Sequence, residues 1–270
     1  MPAWDEGQVV DLRALLEGMA AEHGLDLRGL ARMTFEEEAA EAERTRVHEE
    51  RAAWSRRRSA ELELAGVDAK HARLIVAGTL RETTASRGAH AWADAGELLL
   101  VLSGSKGSGK SLAAGLMVHR FGGVMVPASL LCDDGWWLTQ GRRSELTRCT
   151  RDDLGRAPLL VIDDLGQEAA GRREHTAEVA ATLVQFRTAK GLRTVITTNL
   201  LSREAAAAAA AARRAQPGGG SAAAADAVAA STFAAYLGAR AELVMERVIE
   251  HGRWVSCEGN LRHEEARRRA

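Results

Sequence analysis

Glu97-Leu98-Leu99-Leu100-Val101-Leu102-Ser103-Gly104-Ser105-Lys106-Gly107-Ser108-Gly109-Lys110-Ser111-Leu112 is the stretch whose reading decides the fold. A buried-strand run over 97–103 leads into a glycine-rich turn, and apolar residues at helical spacing follow over 112–118. The turn reads GxxxxGKS, the P-loop signature, and it has the strand before it and the helix after it that the motif requires. Three glycines, Gly104, Gly107 and Gly109, let the backbone curl until several N–H groups face one anion, and the helix start adds its positive dipole end. A triphosphate such as ATP fits there, in contact with Gly104, Ser105, Lys106, Gly107, Ser108, Gly109, Lys110, Ser111 and Leu112. Lys110 would reach the β- and γ-phosphates as a mobile point charge, while the Ser111 hydroxyl would take one position on Mg²⁺.

Downstream, Leu159-Leu160-Val161-Ile162-Asp163-Asp164-Leu165-Gly166 is an apolar run ending in two carboxylates. A buried parallel strand of this kind delivers its acids to the carboxyl edge of the sheet, where the P-loop also opens. Asp163 is expected to hold Mg²⁺ through its water shell, and Asp164 to orient or deprotonate an attacking water. The plainer alternative is an acid pair that only caps a helix. Thr194-Val195-Ile196-Thr197-Thr198-Asn199-Leu200 is another apolar strand with a polar tip, where Asn199 either senses the γ-phosphate and lytic water or caps the next element.

Composition narrows the class. With 36 basic and 37 acidic residues the net charge is −1, so any contact with nucleic acid must come from a local patch. Three distant cysteines, Cys132, Cys149 and Cys257, suggest core or surface thiols in a reducing compartment rather than a disulfide framework or a zinc site. No basic region followed by an apolar run opens the sequence, and no 18-residue apolar stretch occurs, so the expectation is a soluble, cytoplasmic protein without membrane contact.

Two regions are expected: residues 1–65 as a helical, partner-binding segment and residues 66–270 as the catalytic domain, with Gly66 and Gly78 at the join. Apolar spacing predicts a helix over 9–19, stopped at Gly24, then one long charged helix or two over 32–64. Trp54 beside Arg51 and Arg56-Arg57-Arg58 leaves a choice between a solvated helix and a partner or nucleic-acid contact. Within the second region, 82–92 reads as a helix, 124–126 as a strand ended by Pro127, and Ser129 as the cap of a helix running to 138. Trp136 and Trp137 next to Arg142 and Arg143 form either a stacking surface for single-stranded nucleic acid or core. A helix over 174–190 is expected, followed by an Ala- and Gly-rich low-complexity insert over 205–230. A final amphipathic helix over 234–250 carries Arg240 and Arg247 on one face, and 254–257 reads as a fifth strand.

In this order the motifs resemble the DnaC/IstB group of AAA+ ATPases, bacterial replicative helicase loaders and transposition helper ATPases, over roughly residues 60–265. The resemblance is carried by LLLVLSGSKGSGKS at 98–111, LLVIDDLG at 159–166, TVITTNL at 194–200, Leu237-Gly238-Ala239-Arg240, Glu246-Arg247-Val248 and Asn260-Leu261-Arg262. It implies an α/β P-loop NTPase fold with a parallel five-stranded sheet of order 5-1-4-3-2 flanked by helices. It also implies an ATP hydrolase using Mg²⁺, single-stranded DNA gripped by the ATPase domain, a replicative DNA helicase or a transposase as partner, and an ATP-dependent homo-oligomer. One arginine of the last helix, Arg240 or Arg247, would act in trans as a finger, and Arg262 matches the sensor-two position. These helix arginines stand seven apart, where the family spacing is four. Readings of another class are a small-molecule P-loop kinase, for which no acceptor-site motif is found, and a binding module that assembles on ATP without turnover.

Overall fold

Strand residues that are apolar at every position can only be satisfied by cover on both faces, and the sheet of this protein is built that way. The structure is a computed structural model, and it describes residues 18–19, 21–24, 27–131, 136–137, 148–149, 151–214 and 232–257. The expected helix over 9–19, Arg142, Arg143, the later part of the low-complexity insert and Arg262 lie largely or wholly outside them. Two compact units divide the chain, residues 1–54 and residues 55–270.

In the first unit lies most of α1 (Leu27–Leu64), a single 38-residue helix. Val47 and Trp54, seven apart and so on one face, are both about half exposed, at 52% and 51%.

The second unit holds a five-stranded parallel sheet made of β1 (Leu99–Gly104), β2 (Val124–Pro127), β5 (Leu159–Leu165), β6 (Arg193–Thr198) and β7 (Gly252–Cys257). Its spatial order is β2-β5-β6-β1-β7, which is the expected 5-1-4-3-2 read from the other edge. Alternate residues of one strand feed different cores. Leu99, Val101, Leu160, Ile162 and Ile196 join α6 (Arg173–Ala189), α8 (Phe233–Leu237) and α9 (Ala241–His251). Leu100, Leu102, Leu159, Val161 and Val195 meet α2 (Ala69–Ala77), α3 (Thr84–Ala95) and α4 (Lys110–Phe121).

Local chemistry sets the helix ends. Asp68 caps α2 by accepting from the Lys70 and His71 N–H groups, and Thr83 and Ser86 form a reciprocal capping box on α3. Arg187 of α6 is fully buried, with its guanidinium donating to Thr194 Oγ1 (3.0 Å) and to the carbonyls of Leu154 (2.6 Å), Gly155 and Arg193. It fastens the start of β6 to α5 (Arg151–Arg156).

Two expectations are corrected. The helix capped by Ser129 is a 3-10 turn, Ala128–Leu130, entered from Pro127 at φ −61° without a side-chain cap; further on, β3 (Trp136–Trp137) pairs antiparallel with β4 (Arg148–Cys149), as adjacent aromatics favour. The helix over 234–250 is three pieces, α8, a 3-10 turn Gly238–Arg240 and α9, because Gly238 stands at φ 57° and ψ −130°, a conformation glycine enters cheaply and other residues do not. Arg240 and Arg247 therefore do not lie along one continuous helix. The low-complexity insert begins as helix α7 (Arg203–Arg214).

Candidate nucleotide site

Because β6 lies between β1 and β5, three chain crossings converge at one sheet edge: the turn after β1, the acids at the end of β5 and Asn199 just past β6. Carboxyl edges of such sheets are where ligands bind. The turn over 104–109 uses positive φ at Gly104 (149°), Gly107 (90°) and Gly109 (87°). At Gly104 a Cβ would collide with the carbonyl oxygen of Cys257, so the neighbouring strand admits only glycine there. Gly109 then starts α4 with no side-chain cap on the helix N-terminus, which leaves backbone donors directed at the turn.

Lys110 is buried at 5% exposure, yet no carboxylate bonds its ammonium among the described residues. Its Nζ donates to Gly104 O (2.8 Å), Ser105 O (2.9 Å) and Asn199 Oδ1 (2.9 Å), with Ser108 Oγ at 3.5 Å. Burial pushes its pKa down, against the pull of Cys257, Asp164 and Asp163. A desolvated cation held by neutral acceptors beside an open helix start fits an anionic ligand. Ser111 and Leu112 continue the first turn of α4, while Lys106 is exposed on the turn.

Asp163 is half-buried and accepts from Thr197 Oγ1 at 2.6 Å. Burial raises its pKa; the Thr197 hydroxyl opposes this, Asp164 adds to it, and a hydrogen bond from Ser111 and the charge of His71 oppose it. Asp163 and Ser111, one hard carboxylate and one hydroxyl in contact, are the chemistry that a hydrated Mg²⁺ takes. Among the described residues no group of three or more His, Cys, Asp or Glu side chains could form an all-protein metal cage.

Asp164 is exposed and is the one described non-glycine residue with positive φ, 57°. That left-handed position costs on the order of 1 kcal/mol even for aspartate. Three ties hold it. Its N–H donates to Thr197 Oγ1 (2.9 Å), the Leu165 carbonyl accepts from Thr198 Oγ1 (2.6 Å), and the Gly166 N–H donates to Glu168 Oε1 (3.0 Å). Asn199, half-buried, faces Lys110.

The predicted arginines are elsewhere. Arg240 pairs with Glu178 of α6 at 3.1 Å, and Arg247 pairs with Glu250 on its own helix at 2.6 Å. Cys257 is buried beside Gly104, and burial raises its thiol to about 11, so it is a core thiol. Sequence reasoning missed Glu168 and Tyr236, whose hydroxyl donates to Glu168 Oε2 at 3.0 Å. Neither lies in a motif; the only signal was an acid two residues past the turn glycine.

No family model matches the chain, and no curated protein matches it either. Among solved structures it is similar to one titled "Crystal Structure of the DnaI", at 18% identity over 70% of this chain and 84% of that one, with a TM-score of 0.36. It is also similar to the structure of the DnaC helicase loader, at 20% identity over 65% and 86% of the two chains, with a TM-score of 0.37. Likenesses of this size carry no inference about what the present chain binds or acts on.

Proposed function

We propose that the chain is an ATPase that binds ATP at the turn over 104–112 and hydrolyses it, as a DNA-directed switch acting on a replicative helicase. The observation that carries the enzymatic part is the contact of Lys110 with Asn199, next to the Asp163–Thr197 hydrogen bond. Three sequence-distant motifs meet at one sheet edge around a buried cation that has no bonded carboxylate among the described residues. Lys110 would leave its neutral acceptors for a phosphate oxygen, and α4 would present its first N–H groups to the same anion. Asp163 and Ser111 would hold Mg²⁺, which when bound supplies charge neutralisation to the phosphates. Asp164, on its exposed left-handed turn, would accept a proton from the attacking water, and Asn199 would orient that water.

The DNA-directed and helicase-directed parts rest on the motif order shared with the DnaC/IstB group. In that reading residues 1–65 dock on the partner, the ATPase domain binds single-stranded DNA, and copies assemble with ATP. Arg240 or Arg247 serves as the trans finger, with Arg262 in the sensor-two role. The exposed face of Val47 and Trp54 on α1 is compatible with docking.

Asp164→Asn tests the enzymatic part. It is expected to retain binding of a fluorescent ATP analogue while turnover falls about 10²- to 10⁴-fold, the scale of a lost general base. Turnover at the wild-type rate would make Asp164 structural. Pull-down of the native helicase with and without ATP tests the partner, and capture of a transposase instead would move the chain to the helper branch.

A further inference from the structure

We propose that Glu168, held by Tyr236, is a positioning residue for hydrolysis: it fixes the left-handed turn at Asp164 and ties that turn to the segment carrying Arg240. The inference rests on the ATPase reading above and names a residue no motif contains.

The two oxygens of Glu168 do different work. Oε1 accepts the Gly166 N–H and Oε2 accepts the Tyr236 hydroxyl, each at 3.0 Å. The carboxylate therefore bridges the turn after β5 and helix α8. Tyr236 is itself set, being 4% exposed with the Arg173 guanidinium 5.0 Å over its ring. Gly166, at φ 94°, has Leu200 where a side chain would stand, so the turn cannot slide toward β6. The start of α8 is fastened on the same side: Leu201 bridges Thr232, and the Phe233 N–H donates to Leu201 O at 2.9 Å.

A closed path results, from Asp164 through Gly166 and Glu168 to Tyr236, back through Thr232 and Leu201 to Thr198, and from the Thr198 hydroxyl to the Leu165 carbonyl beside Asp164. Two ties on the Asp164 turn come from Thr197 and Thr198, inside the sheet. The third is the only one made by a side chain outside the sheet, and α8 leads within three residues to Arg240. Loss of Glu168 should therefore leave phosphate binding at Lys110 intact while letting Asp164 relax from its strained orientation, an effect on kcat and not on affinity.

The experiment uses the full chain, reading steady-state ATP turnover, affinity for mant-ATP and thermal unfolding for wild type, Glu168→Ala, Glu168→Gln, Tyr236→Phe and Glu168→Ala/Tyr236→Phe. Glu168→Ala is expected to lose roughly 10- to 100-fold in kcat, as small misplacements of a reacting group do, with mant-ATP affinity within about twofold. Glu168→Gln, which keeps one acceptor and a donor the Tyr236 oxygen can accept, should recover most of the loss. The double variant should be no slower than Glu168→Ala alone, because both act through one carboxylate. Normal turnover in Glu168→Ala overturns the proposal, as does a kcat loss matched by lost affinity or not recovered by glutamine. Additive losses overturn the role of Tyr236. A wild type that binds mant-ATP without turning ATP over overturns the ATPase reading and this inference with it; wild-type turnover unaffected by Glu168→Ala overturns this inference alone.

Discussion

Strand β6 has a buried cation at each end, and the two are held by the same kind of neutral oxygen. At its start Arg187 donates to Thr194 Oγ1 and to the carbonyls of Leu154, Gly155 and Arg193. Just past its end Lys110 donates to the carbonyls of Gly104 and Ser105 and to Asn199 Oδ1. Burial lowers both pKa values, that of Arg187 to about 10. The difference lies in what surrounds them. Lys110 has Asp163 and Asp164 within electrostatic reach and an uncapped helix start beside it. Arg187 has burial as the single cause of its shift and carbonyls from two chain segments, 154–155 and Arg193, closed around it. A buried cation enclosed by carbonyls is a fastening, whereas one set on a glycine turn at a sheet edge is suited to exchange its partners.

The largest expected effect breaks the first of the pair. Arg187→Met should cost about 3–5 kcal/mol of folding stability, since it strands several buried acceptors, and chemical denaturation would measure it. A loss under about 1 kcal/mol would show that the carbonyls find water. Lys110→Met should do the reverse. The folded state disfavours the charged lysine, so removing it should change stability by no more than about 1 kcal/mol without nucleotide. Affinity for ATP should fall by about 2–4 kcal/mol, one charge-assisted phosphate contact in a desolvated site, as calorimetry would show. Unchanged affinity would remove the exchange role. Arg240→Ala supplies the baseline of a surface cation: its ion pair with Glu178 is half exposed, and its loss should cost about 0–1 kcal/mol by thermal unfolding. A much larger cost would make Arg240 a fastening like Arg187.

How much of this could be read beforehand follows from how locally each feature is encoded. The turn over 104–111, the acids Asp163 and Asp164 and the strand over 194–200 each carry their chemistry within about eight residues, and the strand order that joins them came with the family resemblance. Arg187 was not legible because a helix arginine flanked by Phe186 and Thr188 looks solvated until the carbonyls of Leu154 and Gly155 in α5 and of Arg193 close over it. The break at Gly238 was hidden because Phe233, Leu237, Val244 and Val248, all buried, keep a helical rhythm across it. Glu168 was invisible because both its partners, a backbone N–H and a tyrosine 68 positions away, exist only after folding.

The strand order has a consequence for how the protein is made. β1 is the earliest strand of the sheet in the chain, yet its two neighbours are the last two, and the Glu97–Arg253 pair beside it joins residues 156 positions apart. Pairings of that separation fold slowly, and they leave strand edges open during synthesis. On a ribosome the glycine turn over 104–109 would emerge long before Cys257 arrives to back Gly104. Since a ligand stabilises only the state that binds it, a nucleotide bound as proposed would favour the completed sheet and give no help to the nascent one.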